Sequence, residues 1–201
     1  MIADKINVTR ALHLLVLSTF FLILFASQMC HALEQAQQLM RNAVTYSKQG
    51  NHMMALKLSE QAIKLEPTNI ALIYQRASVW GRGGYYANAI KDLSQVIRED
   101  ELAARKKFPA ARKFRAECFV ATGQMQKAVD DYNVLLRGNP QSGKIWYYMA
   151  ETLAVMKRMD WALQAVERGI ATGTHWSKKL ETLKKEILSG QEITPHKPFS
   201  N

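Results

Sequence analysis

The sequence predicts an all-α fold, an α-solenoid of about four helix-turn-helix repeats followed by a C-terminal capping helix. Three sets of positions recur along the chain, two of them occupied by alanine and the third by turn residues. They are Ala43, Ala77, Ala116 and Ala150; Ala55, Ala89, Ala128 and Ala162; and Gly50, Gly84, Gly123 and Lys157. Within each set the intervals are 34, 39 and 34 residues. This period, with small residues on both sides of a turn, is typical of stacked helical hairpins.

The residues around these positions follow a shared pattern. The first unit has Tyr46 and Pro67 beside its two alanines, and the third has Phe119, Tyr132 and Pro140. These columns resemble the tetratricopeptide repeat, whose pattern is W-x2-L-G-x2-Y, then A-x3-F, then P. The resemblance extends over about residues 36–176. It implies repeats at about 36–69, 70–103, 109–142 and 143–176, in an array that spans 33–175.

Close packing of paired helices explains why these residue types recur at these positions. An alanine on each helix lets the two backbones approach, and larger apolar side chains fill the space around the contact. Pro67 and Pro140 are expected just after the second helix of their repeats, because proline cannot extend a helix. Cys118 lies beside the packing residues Ala116 and Phe119, so we expect a buried free thiol.

Five residues are inserted between the second and third repeats, within residues 99–109. Strong helix formers dominate this run. We therefore expect the preceding helix to be prolonged and to end near Lys107, two residues before Pro109.

The residues after the fourth repeat have the pattern of a helix that covers the end of a solenoid. Leu180, Leu183 and Ile187 have helical spacing, with lysines on the other side. A capping helix at residues 176–190 is predicted, since the exposed end of a solenoid needs a polar outer face. Residues 191–201 are expected to form a flexible tail.

The N-terminal segment has the features of a secretory signal peptide. Lys5 and Arg10 precede an apolar run at residues 11–26, and Cys30-His31-Ala32 places small residues two apart. We expect residues 1–32 to be removed by cleavage after Ala32. The alternative is an uncleaved anchor, since residues 11–30 could just span a bilayer. The first interpretation predicts an exported, periplasmic protein, and the second an inner-membrane protein with its repeats outside the cytoplasm.

Neither the composition nor the motifs indicate catalysis. The five histidines have no metal-ligand spacing, and no nucleotide-binding glycine pattern or nucleophile motif is present. The net charge is +10, from 27 Lys and Arg against 17 Asp and Glu. Nucleic acid would fit this charge, but neither the expected compartment nor any helix with base-reading residues supports it. We expect a protein that is not an enzyme and has no metal, no cofactor and no nucleic-acid partner.

In the tetratricopeptide-repeat family, ligands usually lie along the concave surface made by the first helix of each repeat. By register, the resemblance implies a concave groove lined by Tyr74, Ser78, Arg82, Lys113, Glu117, Lys144, Tyr147 and Glu151, continued by Met40, Val44 and Lys48. Met40 and Val44 stand where chaperone-binding members have the lysine and asparagine of a carboxylate clamp, so that activity is not expected. Tyrosines among bases favour a peptide with acidic and apolar side chains. The alternative is an ordinary solvent-facing surface.

A second candidate surface is the basic flank, formed by Arg105, Lys106, Lys107 and Arg112. It could face an anionic membrane, a cell-wall polymer or an acidic protein.

Two functional hypotheses follow. The first is an exported scaffold or adaptor that binds a peptide segment or helix of an envelope protein in the concave groove, in the assembly of an envelope complex. The second is a structural subunit of an envelope complex, held in the membrane by the N-terminal apolar segment. The sequence does not indicate the oligomeric state.

Overall fold

The computed structural model describes residues 2–103 and 107–196, which form α-helices and no strand. The helices are α1 (Ile2–Lys48), α2 (His52–Leu65), α3 (Ile70–Arg82), α4 (Tyr86–Leu102), α5 (Pro109–Ala121), α6 (Met125–Gly138), α7 (Gly143–Val155), α8 (Met159–Ala171) and α9 (Ser177–Leu188). Each helix packs on the next one along the chain. The protein is therefore the all-α solenoid that the repeat period predicted.

The eight recurring alanines are fully buried, as their spacing predicted. Four lie on the first helices of the hairpins, α1, α3, α5 and α7, and four on the second helices, α2, α4, α6 and α8. Pro67 and Pro140 follow the ends of α2 and α6, also as predicted.

The four hairpins close their first helix in the same way. Gly50, Gly84 and Gly123 have φ of 83°, 79° and 74°, and Lys157 has φ of 60° at the fourth turn. The residue after each of them donates its backbone N–H to the carbonyl five residues earlier, at 2.8 to 3.0 Å. This left-handed helix ending is the Schellman motif, which glycine adopts more easily than a residue with a Cβ atom. Of these four turns, only the fourth has a residue with a Cβ atom, Lys157, in this strained conformation.

Two hairpins contain an ion pair between their helices. Arg76 donates from Nε and Nη2 to the two carboxylate oxygens of Asp92, both at 2.8 Å. At the equivalent positions one repeat later, Arg115 donates to Asp131 at 2.8 and 2.7 Å. The aspartate side chains are 6% and 5% exposed. Two parallel hydrogen bonds make this the strong form of an arginine–carboxylate pair.

The chain after α4 differs from the predicted prolonged helix. α4 has 17 residues against 14 in α2, but it ends at Leu102 and does not reach Lys107. Asp100 accepts the backbone N–H groups of Lys107 and Phe108, at 3.0 and 3.3 Å. These bonds bring the chain back to the end of α4 just before α5 begins at Pro109. The side chain of Asp100 on α4 therefore holds the start of α5 near the end of α4, which composition alone did not indicate.

The core contains three apolar clusters of unequal make-up. Four of the seven buried residues in the cluster of the first hairpin are alanines, the others being Met40, Leu72 and Val79, and partly buried aliphatic side chains pack against them. The cluster at the C-terminal end contains aromatic residues such as Tyr132 and Trp146 and includes three residues of α9. Leu180, Leu183 and Ile187 are the buried residues of α9. This helix therefore covers the end of the array, as the sequence predicted.

Cys118 lies in the middle cluster as a buried free thiol, as the sequence predicted. Burial, with a smaller contribution from the charge of Glu117, raises the pKa of this thiol to about 12. The thiol is therefore an apolar packing group in the folded protein.

α1 is one helix of 47 residues that passes through Ala32 without a break. Its C-terminal part, from Ala36 onward, packs in the first hairpin. Its N-terminal part carries exposed apolar side chains such as Phe21 and Phe25. Among the described residues this is the one helix long and apolar enough to cross a membrane, and a signal sequence would meet the same criterion. Both predicted roles of the N-terminal segment are compatible with it.

Candidate functional site

A cavity of about 460 Å³ lies on the side of the array made by the first helix of each hairpin. Its lining comes from α1, α3, α5 and α7, with one residue from the chain after α9. The lining residues are Val44, Tyr74, Gln75, Ser78, Ala110, Lys113, Phe114, Glu117, Lys144, Tyr148 and His196. This cavity is the part of the predicted concave groove that four successive first helices build together.

Five of the eight residues predicted to line the groove line this cavity, namely Tyr74, Ser78, Lys113, Glu117 and Lys144. Val44, from the expected N-terminal continuation, lines it as well.

The other expected positions lie elsewhere. Arg82 and Lys48 line a separate depression beside the first turn. Tyr147 and Glu151 are not among the lining residues, and Glu151 is almost completely buried. Met40 is fully buried in the core cluster of the first hairpin, so its expected place in the concave groove is wrong.

Tyr148 takes the groove position on α7 that the register gave to Tyr147. Its ring contacts Trp176, with the ring centres 5.9 Å apart, and Trp176 also contacts Tyr147 at 5.4 Å. The Trp176 ring precedes α9 and therefore belongs to the end of the array. A register derived from the interior repeats does not account for this extra neighbour.

Two carboxylates belong to this region: Glu117 lines the cavity, and Glu151 lies next to it and contacts the lining residue His196. Glu117 and Glu151 are both buried. Glu117 accepts from Lys113, four residues before it on α5. Glu151 accepts the hydroxyl of Tyr147 at 3.2 Å through one of its oxygens. A buried carboxylate needs such partners, because burying even a neutral polar group without a hydrogen bond costs on the order of 2–7 kcal/mol.

These carboxylates, together with burial, influence the tyrosines of the groove. Burial raises the pKa of Tyr148 to about 12, with additional effects of Glu117 and Glu151. Burial also raises the pKa of Tyr147 and of Tyr74 above the ordinary value. The three phenols therefore stay protonated at neutral pH and can donate a hydrogen bond.

Cations lie over the aromatic rings at the C-terminal end of the groove. Lys144 Nζ is 5.7 Å from the centre of the Tyr148 ring and 5.6 Å from that of Trp176. Lys113 Nζ is 5.5 Å from the Tyr148 ring, and Lys179 Nζ is 4.5 Å from Trp176. Each such contact contributes about 0.5–1 kcal/mol at an exposed site. This end of the groove therefore combines flat apolar surface with positive charge.

The predicted flexible tail begins at residue 191, but the structure places part of it against the array. Residues 191–196 have no regular secondary structure. Ile193 packs on the C-terminal core cluster, and His196 lines the groove. His196 stacks on Tyr148, with ring centres 4.0 Å apart and planes at 20°. Ile193 and His196 of the predicted tail thus contact the array, and residues 197–201 lie outside the described part of the chain.

Of the basic flank, the structure describes Lys107 and Arg112. Arg112 donates to Glu101 and, at 3.1 Å, to Asp131, and Arg115 beside it is bound by Asp131 as well. Lys107 is exposed. The other two residues of the basic flank, Arg105 and Lys106, lie outside the described part of the chain. Internal ion pairs thus use part of the charge that the sequence pattern assigned to an external partner.

Among residues 2–103 and 107–196, the structure has no group of three or more His, Cys, Asp and Glu side chains that could hold a metal ion. The chemistry available in the groove is that of reversible contacts: apolar rings, ammonium groups and buried carboxylates.

Comparison with known proteins agrees with this architecture, and the chain has the tetratricopeptide-repeat fold. It is similar to a crystal structure of a tetratricopeptide repeat protein from Parabacteroides merdae, with a TM-score of 0.63 and 18% identity, covering 78% of this chain and 61% of that one. No protein-family model matches the chain.

Two curated relatives show the same likeness at the level of sequence. Human serine/threonine-protein phosphatase 5 is 27% identical over 158 residues, which are 79% of this chain and 30% of the phosphatase. A tetratricopeptide repeat and J domain-containing co-chaperone, DNJ1 of Cryptococcus neoformans, is 26% identical over 140 residues, or 69% of this chain and 25% of the co-chaperone. The chain thus spans less than a third of the length of these relatives.

Proposed function

We propose that the protein is a non-catalytic interaction scaffold whose concave groove binds a segment of a protein partner. The observation that supports this most directly is the cavity built jointly by α1, α3, α5 and α7. A preformed concave surface binds an extended segment or a helix without large rearrangement. The likeness to tetratricopeptide-repeat proteins, one of them named a co-chaperone, supports a protein as the ligand.

The groove favours a partner that offers flat apolar side chains together with polar groups of both signs. Tyr74, Phe114 and Tyr148 supply apolar surface. Lys144, held over two rings, can bind an acidic group, while Glu117 and Glu151 can accept hydrogen bonds. This differs from the expected preference for acidic and apolar peptides, since two carboxylates lie beside the bases.

Crosslinking in intact cells tests the groove as a binding surface. A photoreactive amino acid at Ser78, in the groove, should capture the partner. The same amino acid at Lys91, an exposed residue of α4, is the matched control. Mass spectrometry of the products identifies what is bound. Equal capture from both positions, or capture from Lys91 alone, would place the partner outside the groove.

A blocking substitution tests the same surface by a different route. Ser78→Arg adds a long side chain to the cavity and should reduce capture at least tenfold. Asn88→Arg, at an exposed position of α4, adds the same side chain without entering the cavity. If Ser78→Arg captures the partner as well as Asn88→Arg does, the groove is not the binding surface.

We further propose that the chain acts outside the cytoplasm on an envelope protein, in the assembly of an envelope complex. The exposed apolar part of α1 supports export or membrane attachment. N-terminal sequencing of the protein from cells separates the two versions of this proposal. A chain that begins at Leu33 indicates an exported scaffold, whereas an intact N-terminus together with resistance to alkaline extraction indicates the membrane-anchored structural subunit.

The uninterrupted helix α1 favours the anchored subunit as a second candidate. If residues 1–32 are retained, one rigid element joins the membrane segment to the first hairpin. The repeat array would then keep a fixed orientation relative to the membrane, which suits a structural subunit.

A further inference from the structure

One residue of the C-terminal segment of this chain, His196, lies in the concave groove. Residues 189–196 lead from the end of α9 back to α7, so that His196 reaches Glu151, which lies 45 residues earlier in the sequence. The His196 side chain is 15% exposed and that of Glu151 is 6% exposed. His196 also lines the same cavity as Tyr74, Ser78 and Lys144.

Three contacts fix His196 in place. Its backbone N–H donates to Glu151 Oε2 at 3.0 Å. Its ring atom Nδ1 forms a hydrogen bond to the same carboxylate oxygen. Its ring stacks on Tyr148, at 4.0 Å between ring centres and 20° between planes. A backbone contact, a directed polar contact and a stacked ring together are the features of peptide recognition.

The two oxygens of Glu151 show what the segment contributes to this site. Oε1 accepts the hydroxyl of Tyr147, and Oε2 accepts only from His196 among the described residues. If the segment left, Oε2, which is buried while the segment is in place, would lose both of these donors. Such a loss is unfavourable unless water or another donor replaces them. Glu151 and Tyr148 therefore form a receptor for a ring that carries a hydrogen-bond donor and is attached to an extended backbone.

We propose that the segment of residues 191–196 is the resident ligand of the concave groove, and that a partner binds by displacing it with a segment of the same chemistry. The displacing segment presents an imidazole or a similar donor-bearing ring to Glu151 and Tyr148, together with a backbone N–H. The part of this proposal that concerns a partner depends on the proposed function. The occupation of the groove by the chain's own segment does not.

A peptide added to the full-length protein tests the occupation. The probe is a fluorescently labelled peptide with the sequence of residues 190–201, and the protein is the full chain in mild detergent. A tethered segment competes at an effective concentration in the millimolar range. The groove of the unaltered protein should therefore be mostly occupied, and the labelled peptide should bind weakly.

His196→Ala in the protein removes the competitor and should lower the dissociation constant of the labelled peptide at least tenfold. Gln191→Ala is the matched control, because Gln191 lies in the same segment and its side chain is exposed. This control should bind the peptide as weakly as the unaltered protein does. A His196→Ala substitution in the peptide should abolish its binding to either protein.

Glu151→Gln and Tyr148→Leu, each added to the His196→Ala protein, should reverse the gain by removing the receptor groups. Circular dichroism confirms that each variant is folded. Equal peptide affinity of the His196→Ala protein and the Gln191→Ala protein would overturn the proposal.

NMR gives a second measurement that does not depend on added peptide. The ring current of Tyr148 should shift the His196 ring protons upfield in the full chain, and Tyr148→Leu should return them to unstructured values. Ring protons that already have unstructured values in the unaltered chain would overturn the proposal.

The two proposals can fail separately. A gain in peptide affinity without crosslinked partner at Ser78 would retain the resident ligand and reject the scaffold function. A crosslinked partner with no gain in peptide affinity would do the reverse.

Discussion

The ion pair of Asp131 gives the sharpest test of the packing between helices. Asp131 accepts three hydrogen bonds: two from Arg115, at 2.8 and 2.7 Å, and one from Arg112, at 3.1 Å. Its side chain is 5% exposed and each arginine side chain 17% exposed. Asp131→Ala would leave two guanidinium groups without this carboxylate between α5 and α6.

The expected loss follows from this geometry. Removing one partner of a buried ion pair costs about 3–5 kcal/mol. The arginines retain some solvent and Arg112 keeps Glu101, which favours the lower end. We therefore expect the free energy of unfolding to fall by about 3 kcal/mol, equivalent to a melting temperature lower by about 6–12 °C for a chain of this size. Asp131→Asn, which keeps an acceptor oxygen, should lose about half as much.

Asp130→Ala is the control, since Asp130 is the preceding residue of the same helix. Asp130 is exposed and accepts one bond, from Gln126 at 3.0 Å. Its replacement should change stability by no more than about 0.5 kcal/mol. Urea unfolding followed by circular dichroism at 222 nm measures all three variants. The reasoning is refuted if Asp131→Ala and Asp130→Ala unfold at the same urea concentration with equal slopes.

Three further predictions concern packing, turns and the buried thiol. Ala128→Leu should overpack the contact of α5 with α6 and lower the free energy of unfolding by about 1–3 kcal/mol, and an unchanged thermal melt would contradict the register of the hairpins. Lys157→Gly should stabilise the protein by about 1 kcal/mol, because the residue has φ of 60°; a lower melting temperature would reject strain at that turn. Cys118, whose pKa is raised to about 12, should remain unreactive to Ellman's reagent at pH 8 until urea is added, whereas exposed Cys30 should react at once. Because folding raises this pKa, the thiol's contribution to stability is present below about pH 8.5 and declines as the pH rises towards 12. When the pH is raised from 8 to 10, the free energy of unfolding should therefore fall less for Cys118→Ala than for the unaltered protein.

The interior of the array could be predicted from the sequence because its repeats have the same neighbours. Ala77 and Ala116 each pack within a hairpin that has another hairpin on both sides. Their burial follows from the period alone. The same reasoning placed Tyr74 and Lys113 in the groove, where the structure has them.

The ends of the array could not be predicted in this way, because terminal repeats have different neighbours. Met40 occupies the register position of Tyr74, but it is buried in the core of the first hairpin. Tyr147 occupies the register position of Lys113, but Trp176 and Glu151 contact it. Tyr148 consequently faces the cavity in its place.

The contact of His196 with Glu151 left no periodic signal in the sequence. His196 lies in a segment with Pro195 and no helical pattern, so nothing in its own sequence indicated that it would reach Glu151. The pairing of Arg115 with Asp131 did leave a signal, since Arg76 and Asp92 repeat it at the same separation of 16 residues. The cluster of basic residues around it suggested an external surface instead.

The core differs along the array, and we expect the N-terminal side to unfold locally before the C-terminal side. In a linear array each unit is stabilised by itself and by its immediate neighbours, so local opening does not require the whole chain to unfold. The cluster of the first hairpin has small and aliphatic side chains and no aromatic residue, whereas the last two hairpins share buried aromatic side chains and are covered by α9. Amide protons of α2 should therefore exchange with solvent sooner than those of α7. Local unfolding would then begin at the N-terminal side of the array, while the end where His196 is bound stays folded.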